Sequence, residues 1–419
     1  MINGHAGTYK VCVVTSVPAA REPRAPKHVA AVLAAIPEAE VCFIDMAGVG
    51  QYLPDPPDLL GHSRLRRITL RVPTLKGAPL GWAYRNVRLK ISSWIYSVTH
   101  WATPEVLGTQ AVGLGRVLSR IKADLYIAHN VETLMPAAIA AKANRAKLIF
   151  DCMEFYSDMG DSQSAMVAAA TAHIEKTNLP CCHLVLATSE CLAEALADVY
   201  RIAKPLVLLN APPITKALPE KQVFSGLRLY WRNSVIGFGQ RGLDDALIAL
   251  TLLPNDICLF LQGRLPLDGG HALRSRIAEL GLSRRVTILP PYALGQAIAE
   301  AALYDIGLCM ERRGPANHEY TVSNKLFDYM MAGLAVVVPD LEGLTRTVKY
   351  AASGLTYLSG SPESLAEQIH SLYSNPDLLK RFASASRAYA LEEGNAEYEM
   401  SKFKQALTAC VENAGHLTC

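Results

Sequence analysis

The chain has 419 residues, half of them apolar, which is too long for one core and suits two domains of roughly 200 residues each. Its formal net charge is +3, close to balance, which argues against a general nucleic-acid binder. Ten cysteines are scattered without Cys-x-x-Cys or Cys/His ligand spacing, so free thiols are expected and not a disulfide framework or a metal cluster. The N-terminus shows no apolar signal stretch, and no run of ~18 apolar residues occurs. A cytoplasmic protein, free or peripheral at the inner membrane face, is the expectation.

Apolar runs alternate with amphipathic stretches along the chain. Strands are expected at Tyr9 to Thr15, Val41 to Asp45, Ala123 to His129, Lys147 to Asp151, Leu184 to Ser189 and Pro205 to Asn210. Helices are expected at Pro26 to Ile36, Leu134 to Ala143, Ala165 to Asn178 and Glu190 to Tyr200. This pattern predicts a parallel, doubly wound sheet. Asn210-Ala-Pro-Pro-Ile-Thr reads as a linker, after which a second alternation begins at Leu227 to Tyr230. It continues through Ile257 to Gln262, Val286 to Leu289, Ile306 to Cys309 and Ala335 to Pro339. The expected domains are 1–210, 211–390 and a helical tail at 391–419, where Tyr398, Phe403, Leu407 and Val411 recur at turn spacing. Two such halves would face a ligand cleft across their strand C-termini.

Residues 321–340, Thr-Val-Ser-Asn-Lys-Leu-Phe-Asp-Tyr-Met-Met-Ala-Gly-Leu-Ala-Val-Val-Val-Pro-Asp, are the most informative. A polar turn leads into a short helix that Gly333 ends, and a buried strand follows. Ser323 is the expected N-cap, which would turn the N–H groups of Asn324 and Lys325 outward toward an anion. Lys325 and Asp328 share one helix face, with Leu326, Tyr329 and Met330 on the core side. A cation, helix N–H groups and a carboxylate one turn on suit a diphosphate joined to a ribose. An ordinary capped αβ unit is the plain alternative.

This run resembles the donor-binding helix of the family 4 (group 1) glycosyltransferases, approximately Pro-Asn-Lys-Leu-Phe-Glu-Tyr-Met-Ala-x-Gly-x-Pro-Val. Asp328 stands where that family has Glu, Ser323 where it has Pro, and Tyr320 where many relatives carry a second Glu. The resemblance implies the GT-B architecture: two Rossmann-like domains facing a cleft, with a C-terminal helix crossing back to the first. It also implies sugar transfer from a nucleotide-diphosphate sugar to a saccharide or lipid-linked acceptor, with retention, no required metal and no cofactor beyond the donor. Asp328 would then hold the ribose.

Gly237-Phe-Gly-Gln-Arg-Gly242 fits G-x-G-x-x-G, but the next strand ends in Gln262-Gly263-Arg264 without the carboxylate that a dinucleotide site needs. Under the resemblance, Gly239, Gly242 and Gly263 give the diphosphate a close backbone approach. Arg241 adds a charged fork to it, with a surface cation as the alternative. Trp231-Arg232-Asn233 occupies a position where the family has Gly. In the first half, Leu148 to Tyr156 corresponds to a segment often written Tyr-Asp-Ser-His-Glu, with Met153 in place of the His. Glu154 either faces the reacting sugar or simply opens a helix. His129 and Glu132 follow a strand end and are acceptor contacts or turn residues. Glu311 meets the sugar, or is a solvated loop acid beside Arg312 and Arg313. The candidate catalytic set is Glu154, Arg241 and Lys325. The donor set is Gly239, Gly242, Gly263, Ser323, Asn324 and Asp328, and the acceptor set is His129, Glu132 and Glu311.

The stretch 59–104 has no Asp or Glu, eight Arg or Lys, and three of the chain's four tryptophans. An anionic membrane surface selects such a composition. Aromatics completing the first domain's core are the alternative. Besides glycosyl transfer, a silent GT-B binding subunit and a nucleotide-sugar 2-epimerase stay open.

Overall fold

The computed structural model describes residues 8–412, apart from Pro23, Tyr52, Gln222, Gln240 and Leu294. Gln240 of the glycine run and Cys419 therefore lie outside the described residues. The chain divides into two units. One holds the residues up to Leu208 and those from Met400 onward, the other Leu209–Glu399. The boundaries thus fall at 208 and 399, where the sequence suggested 210 and 390.

The first unit is built on seven parallel strands: β1 (Lys10–Thr15), β2 (Glu40–Gly48), β3 (Leu65–Val72), β4 (Leu125–His129), β5 (Lys147–Cys152), β6 (Leu184–Ala187) and β7 (Leu206–Val207). Their order is β3-β2-β1-β4-β5-β6-β7. All five residues of β4 and five of the six in β1 are buried, as strands covered on both faces must be. Cα register runs in step, Val14 opposite Ala128 and His129 opposite Asp151. The strand order reverses between β1 and β4, the kind of switch point outside which open α/β sheets bind ligands.

The second unit holds six parallel strands: β8 (Leu227–Val235), β9 (Ile257–Arg264), β10 (Val286–Leu289), β11 (Ile306–Leu308), β12 (Ala335–Pro339) and β13 (Gly354–Tyr357). Their order β10-β9-β8-β11-β12-β13 reverses between β8 and β11. Leu229, Trp231, Leu259, Leu308 and Val337 pack one face against the helices Leu243–Thr251 and Pro362–Ser374. Tyr230, Cys309 and Val336 pack the other against the helix Asn324–Met331. The parallel doubly wound sheet read from the sequence is therefore present twice.

The final helix, Ala396–Glu412, supplies Phe403, Leu407 and Val411 to the core of the first unit. Lys147 Nζ donates to the carbonyls of Cys410 (2.5 Å) and Val411 (2.9 Å), satisfying acceptors that a helix end leaves open. The segment 59–104 holds two elements that the sequence reading left unassigned, edge strand β3 and the 21-residue helix Pro79–Thr99. On that helix only Ser92 and Tyr96 are buried, so Tyr96 joins the core while Trp82, Tyr84 and Trp94 stay exposed.

Candidate active site

At the β8/β11 reversal the second unit gathers charge that it does not leave to solvent. Glu311 follows β11 and is 5% exposed, and Lys325 in the first turn of helix Asn324–Met331 is 6% exposed. Lys325 Nζ donates to Glu311 Oε1 at 2.7 Å and lies 5.6 Å over the Trp231 ring at the end of the apolar part of β8. Arg241, half exposed, approaches the same Oε1 at 3.6 Å. Burial alone would raise the Glu311 carboxyl, but the Lys325 charge and hydrogen bond, with Arg241 behind them, outweigh it and hold it down at about 2. Glu311 is thus ionised, and its other oxygen, Oε2, is buried without a partner. The buried indole N–H of Trp231, whose ring lies under Lys325, is also unpartnered. Buried orphan groups are uncommon, and each calls for an explanation.

A second ion pair stands one helical turn on. The Arg232 guanidinium contacts the Asp328 carboxylate, donates to the Tyr292 hydroxyl at 2.6 Å and stacks 5.6 Å from that ring. The Arg232 amide N–H donates to the Tyr329 hydroxyl at 3.1 Å, tying the strand to the helix. Asp328 is therefore a carboxylate oriented by a cation, with acceptor capacity beyond that one contact.

Two glycines bring the backbone close. Gly242, at φ 65°, opens the helix Leu243–Thr251, and a Cβ there would fall 2.1 Å from the Met310 carbonyl oxygen. Gly263, at φ 154°, would place a Cβ 2.0 Å from the Asn233 carbonyl oxygen. Gly239, at φ 107°, has nothing within 4 Å and leaves the approach open. Helix Asn324–Met331 ends as its sequence suggests. Gly333, at φ 73°, donates to the Met330 carbonyl and Leu334 to that of Tyr329, both at 3.0 Å, which is a Schellman close.

Three expectations for this region change. Ser323 occupies the N-cap position, but its side chain makes no capping hydrogen bond, so the first-turn N–H groups have no side-chain acceptor there. Lys325 does not share an open face with Asp328; it is buried against Glu311, and the helix is buried on nearly all sides. Glu311 is not a solvated loop acid, because Arg312 turns to Asp245 at 2.8 Å and Arg313 to Glu319 at 2.8 Å. Arg232 and Tyr292 are the participants that sequence reasoning did not assign. An Arg following the buried run Leu227–Trp231 was the available signal; its partner, 96 residues away, was not readable.

Residues 237–375, a third of the chain, match the family model described as glycosyl transferases group 1. No curated protein matches in sequence. The Anabaena protein HepE, solved in complex with UDP, is similar over 96% of this chain and 100% of its own, with a TM-score of 0.66 at 14% identity. Sucrose-phosphate synthase from Thermosynechococcus elongatus aligns over 96% and 98% with a TM-score of 0.69 at 14% identity. A glycosyltransferase from Rickettsia africae aligns over 98% and 100%, with a TM-score of 0.67 at 14% identity. The fold is that of the GT-B glycosyltransferases.

The first GT-B domain carries its own polar group at the β1/β4 reversal. Arg24 holds Asp151 through two hydrogen bonds of 2.7 Å, and His129 Nδ1 lies 3.1 Å from the same carboxylate. Burial would raise Asp151, but Arg24 and then His129 outweigh it and keep it ionised well below the usual range. His129 is wholly buried, so the structure places it in this internal network, away from any exposed acceptor position. His28, His129 and Asp151 offer ligand atoms within 4.8 Å of one another, the one such group among the described residues. Arg24 already neutralises the carboxylate there, which fits an ion pair and not a metal. Glu132 is half-buried and accepts from the Ser16 hydroxyl at 3.0 Å; burial raises its carboxyl. Glu154 is half-buried just past β5, beside Met153, whose carbonyl accepts from the Thr188 hydroxyl.

Proposed function

We propose that this GT-B chain transfers a glycosyl group from a uridine-diphosphate sugar to a hydroxyl of a saccharide or lipid-linked acceptor, with retention and without a metal. The carrying observation is the Arg241–Glu311–Lys325 group at the β8/β11 reversal, with the orphaned Glu311 Oε2 and Trp231 N–H beside it. UDP is the nucleotide because HepE, which shares the fold, is solved with UDP and with UDP-glucose.

As the bond between the anomeric carbon and the diphosphate breaks, negative charge grows on the leaving oxygen. Arg241 and the uncapped N–H groups at the start of helix Asn324–Met331 stabilise it, and Lys325 adds a fixed cation behind them. Gly239, Gly242 and Gly263 let the main chain approach the diphosphate. Glu311 Oε2 accepts from a sugar hydroxyl, which positions the anomeric carbon. Asp328, oriented by Arg232, accepts from the ribose. The acceptor oxygen forms the new bond on the side of the departing phosphate, which takes the acceptor's proton. Glu154 and Glu132 stand on the acceptor side.

Calorimetric titration with UDP, GDP, ADP and TDP tests this reading. UDP is expected to bind, and Arg241→Ala, a half-exposed change that should leave the fold intact, to weaken it on the order of tenfold or more. Binding by none of the four diphosphates would sink the proposal.

A further inference from the structure

Helix Pro79–Thr99 turns an apolar stripe to solvent. Leu80, Tyr84, Val87, Ile91, Trp94 and Val98 recur at alternating intervals of four and three, so all six lie on one face along its full ~31 Å. Their exposures run from 45% for Ile91 to 87% for Leu80, and Trp101, just past the helix, is 66% exposed. The buried residues, Ser92 and Tyr96, lie on the opposite face. Tyr96 packs edge-on to His173 and Arg85 donates to the Thr109 carbonyl at 2.7 Å, which fixes that opposite face to the first unit. A helix normally points its stripe inward; this one points it out.

Charge decides what covers the stripe. Arg88 and Lys90 flank it on either side, and Lys76 precedes the helix; all three are exposed. No Asp or Glu occurs between residues 59 and 104. A second copy docked stripe to stripe would therefore set Lys90 against cations, with no acid within the segment to compensate it. Not all of the basic stretch is available: Arg64 donates to the carbonyls of Leu33, Ile36 and Ala39, Arg67 pairs with Asp45, and Arg88 pairs with Glu105 at 3.2 Å. No helix among the described residues is long and apolar enough to cross a bilayer. Tyr and Trp among aliphatic residues, with cations at the margins, are the chemistry of a helix lying in the plane of an anionic bilayer surface.

We propose that helix Pro79–Thr99 docks this protein on anionic membranes, with its stripe at the headgroup boundary and Lys76 and Lys90 on the lipid phosphates. The inference stands independently of the donor-site reading and would fit an acceptor presented on a lipid.

Flotation of the whole protein with phosphatidylcholine vesicles, with and without phosphatidylglycerol, tests it. Binding is expected to the anionic vesicles alone and to weaken with salt. Three of the four tryptophans lie in or beside this helix and Trp231 is buried, so intrinsic fluorescence should shift to the blue on binding. Trp94→Ser with Val98→Ser should abolish binding, and Lys76→Glu or Lys90→Glu should each cost at least about fivefold. Circular dichroism and thermal unfolding midpoints of the same variants report that they remain folded. Failure of the folded wild-type protein to float with anionic vesicles would overturn the proposal. So would sedimentation of the wild type as a dimer that Trp94→Ser with Val98→Ser dissociates, since the stripe would then belong to a second copy.

Discussion

Glu175 lies in the first unit, almost wholly buried, where the Tyr200 hydroxyl donates to its Oε2 at 2.6 Å while Oε1 has no partner. Burial raises its carboxyl from 4.5 to about 7 against the opposing hydrogen bonds of Tyr200 and Ser157. Between those values the folded state holds a proton that the unfolded chain has lost, so stability falls as pH rises through this window. Glu175→Gln removes the ionisation and should raise stability by on the order of 2–3 kcal/mol near pH 8, with little gain near pH 4. Denaturant midpoints at both pH values check this; equal gains at both would refute it. Glu311 is the opposite case. Its carboxyl is held down by Lys325, and its contribution is present above the ordinary Glu value and lost as pH falls toward about 2. Lys325, Asp328 and Glu311 were legible in the sequence as residue types near strand and helix ends. Their pairing was not, because Lys325 meets Glu311 across 14 residues and Asp328 meets Arg232 across 96.

At the scale of elements, the sequence read best where a local rule has one solution. Gly333 closes its helix because a left-handed residue is needed there, and strands buried on both faces show as apolar runs. It read least well over 59–104. The edge strand is rich in Arg, and the four-and-three apolar spacing from Leu80 to Val98 does not by itself say which way a helix turns its stripe. Gly263 tests the tight passage at the end of β9. Gly263→Ala sets a Cβ against the Asn233 carbonyl and should cost about 1–3 kcal/mol, with weaker UDP binding. Gly314→Ala, with nothing within 4 Å, should stay within ~0.5 kcal/mol. Equal unfolding midpoints for the two variants would show that the passage is not tight.

On the scale of the whole chain, the last helix from Met400 onward belongs to the first unit although it follows the second in sequence. Phe403 is fully buried there and stacks on His28 at 4.1 Å, beside the Arg24–Asp151 pair. Phe403→Ala should destabilise the protein by about 3–5 kcal/mol, read as an earlier unfolding transition. An unchanged midpoint would mean that the helix does not hold the first unit together.

The sequence by itself determined two parallel α/β units, the helix Asn324–Met331 with its glycine close, and the turn spacing of Phe403, Leu407 and Val411. Each follows from short-range periodicity or backbone sterics, which the order of residues records directly. The tertiary structure alone decided that Lys325 is buried on Glu311, that Arg232 occupies Asp328, that His129 turns inward and that the stripe of helix Pro79–Thr99 turns outward. Those outcomes depend on which elements the strand order brings together and on what burial does to a charge, and neither is written in local spacing.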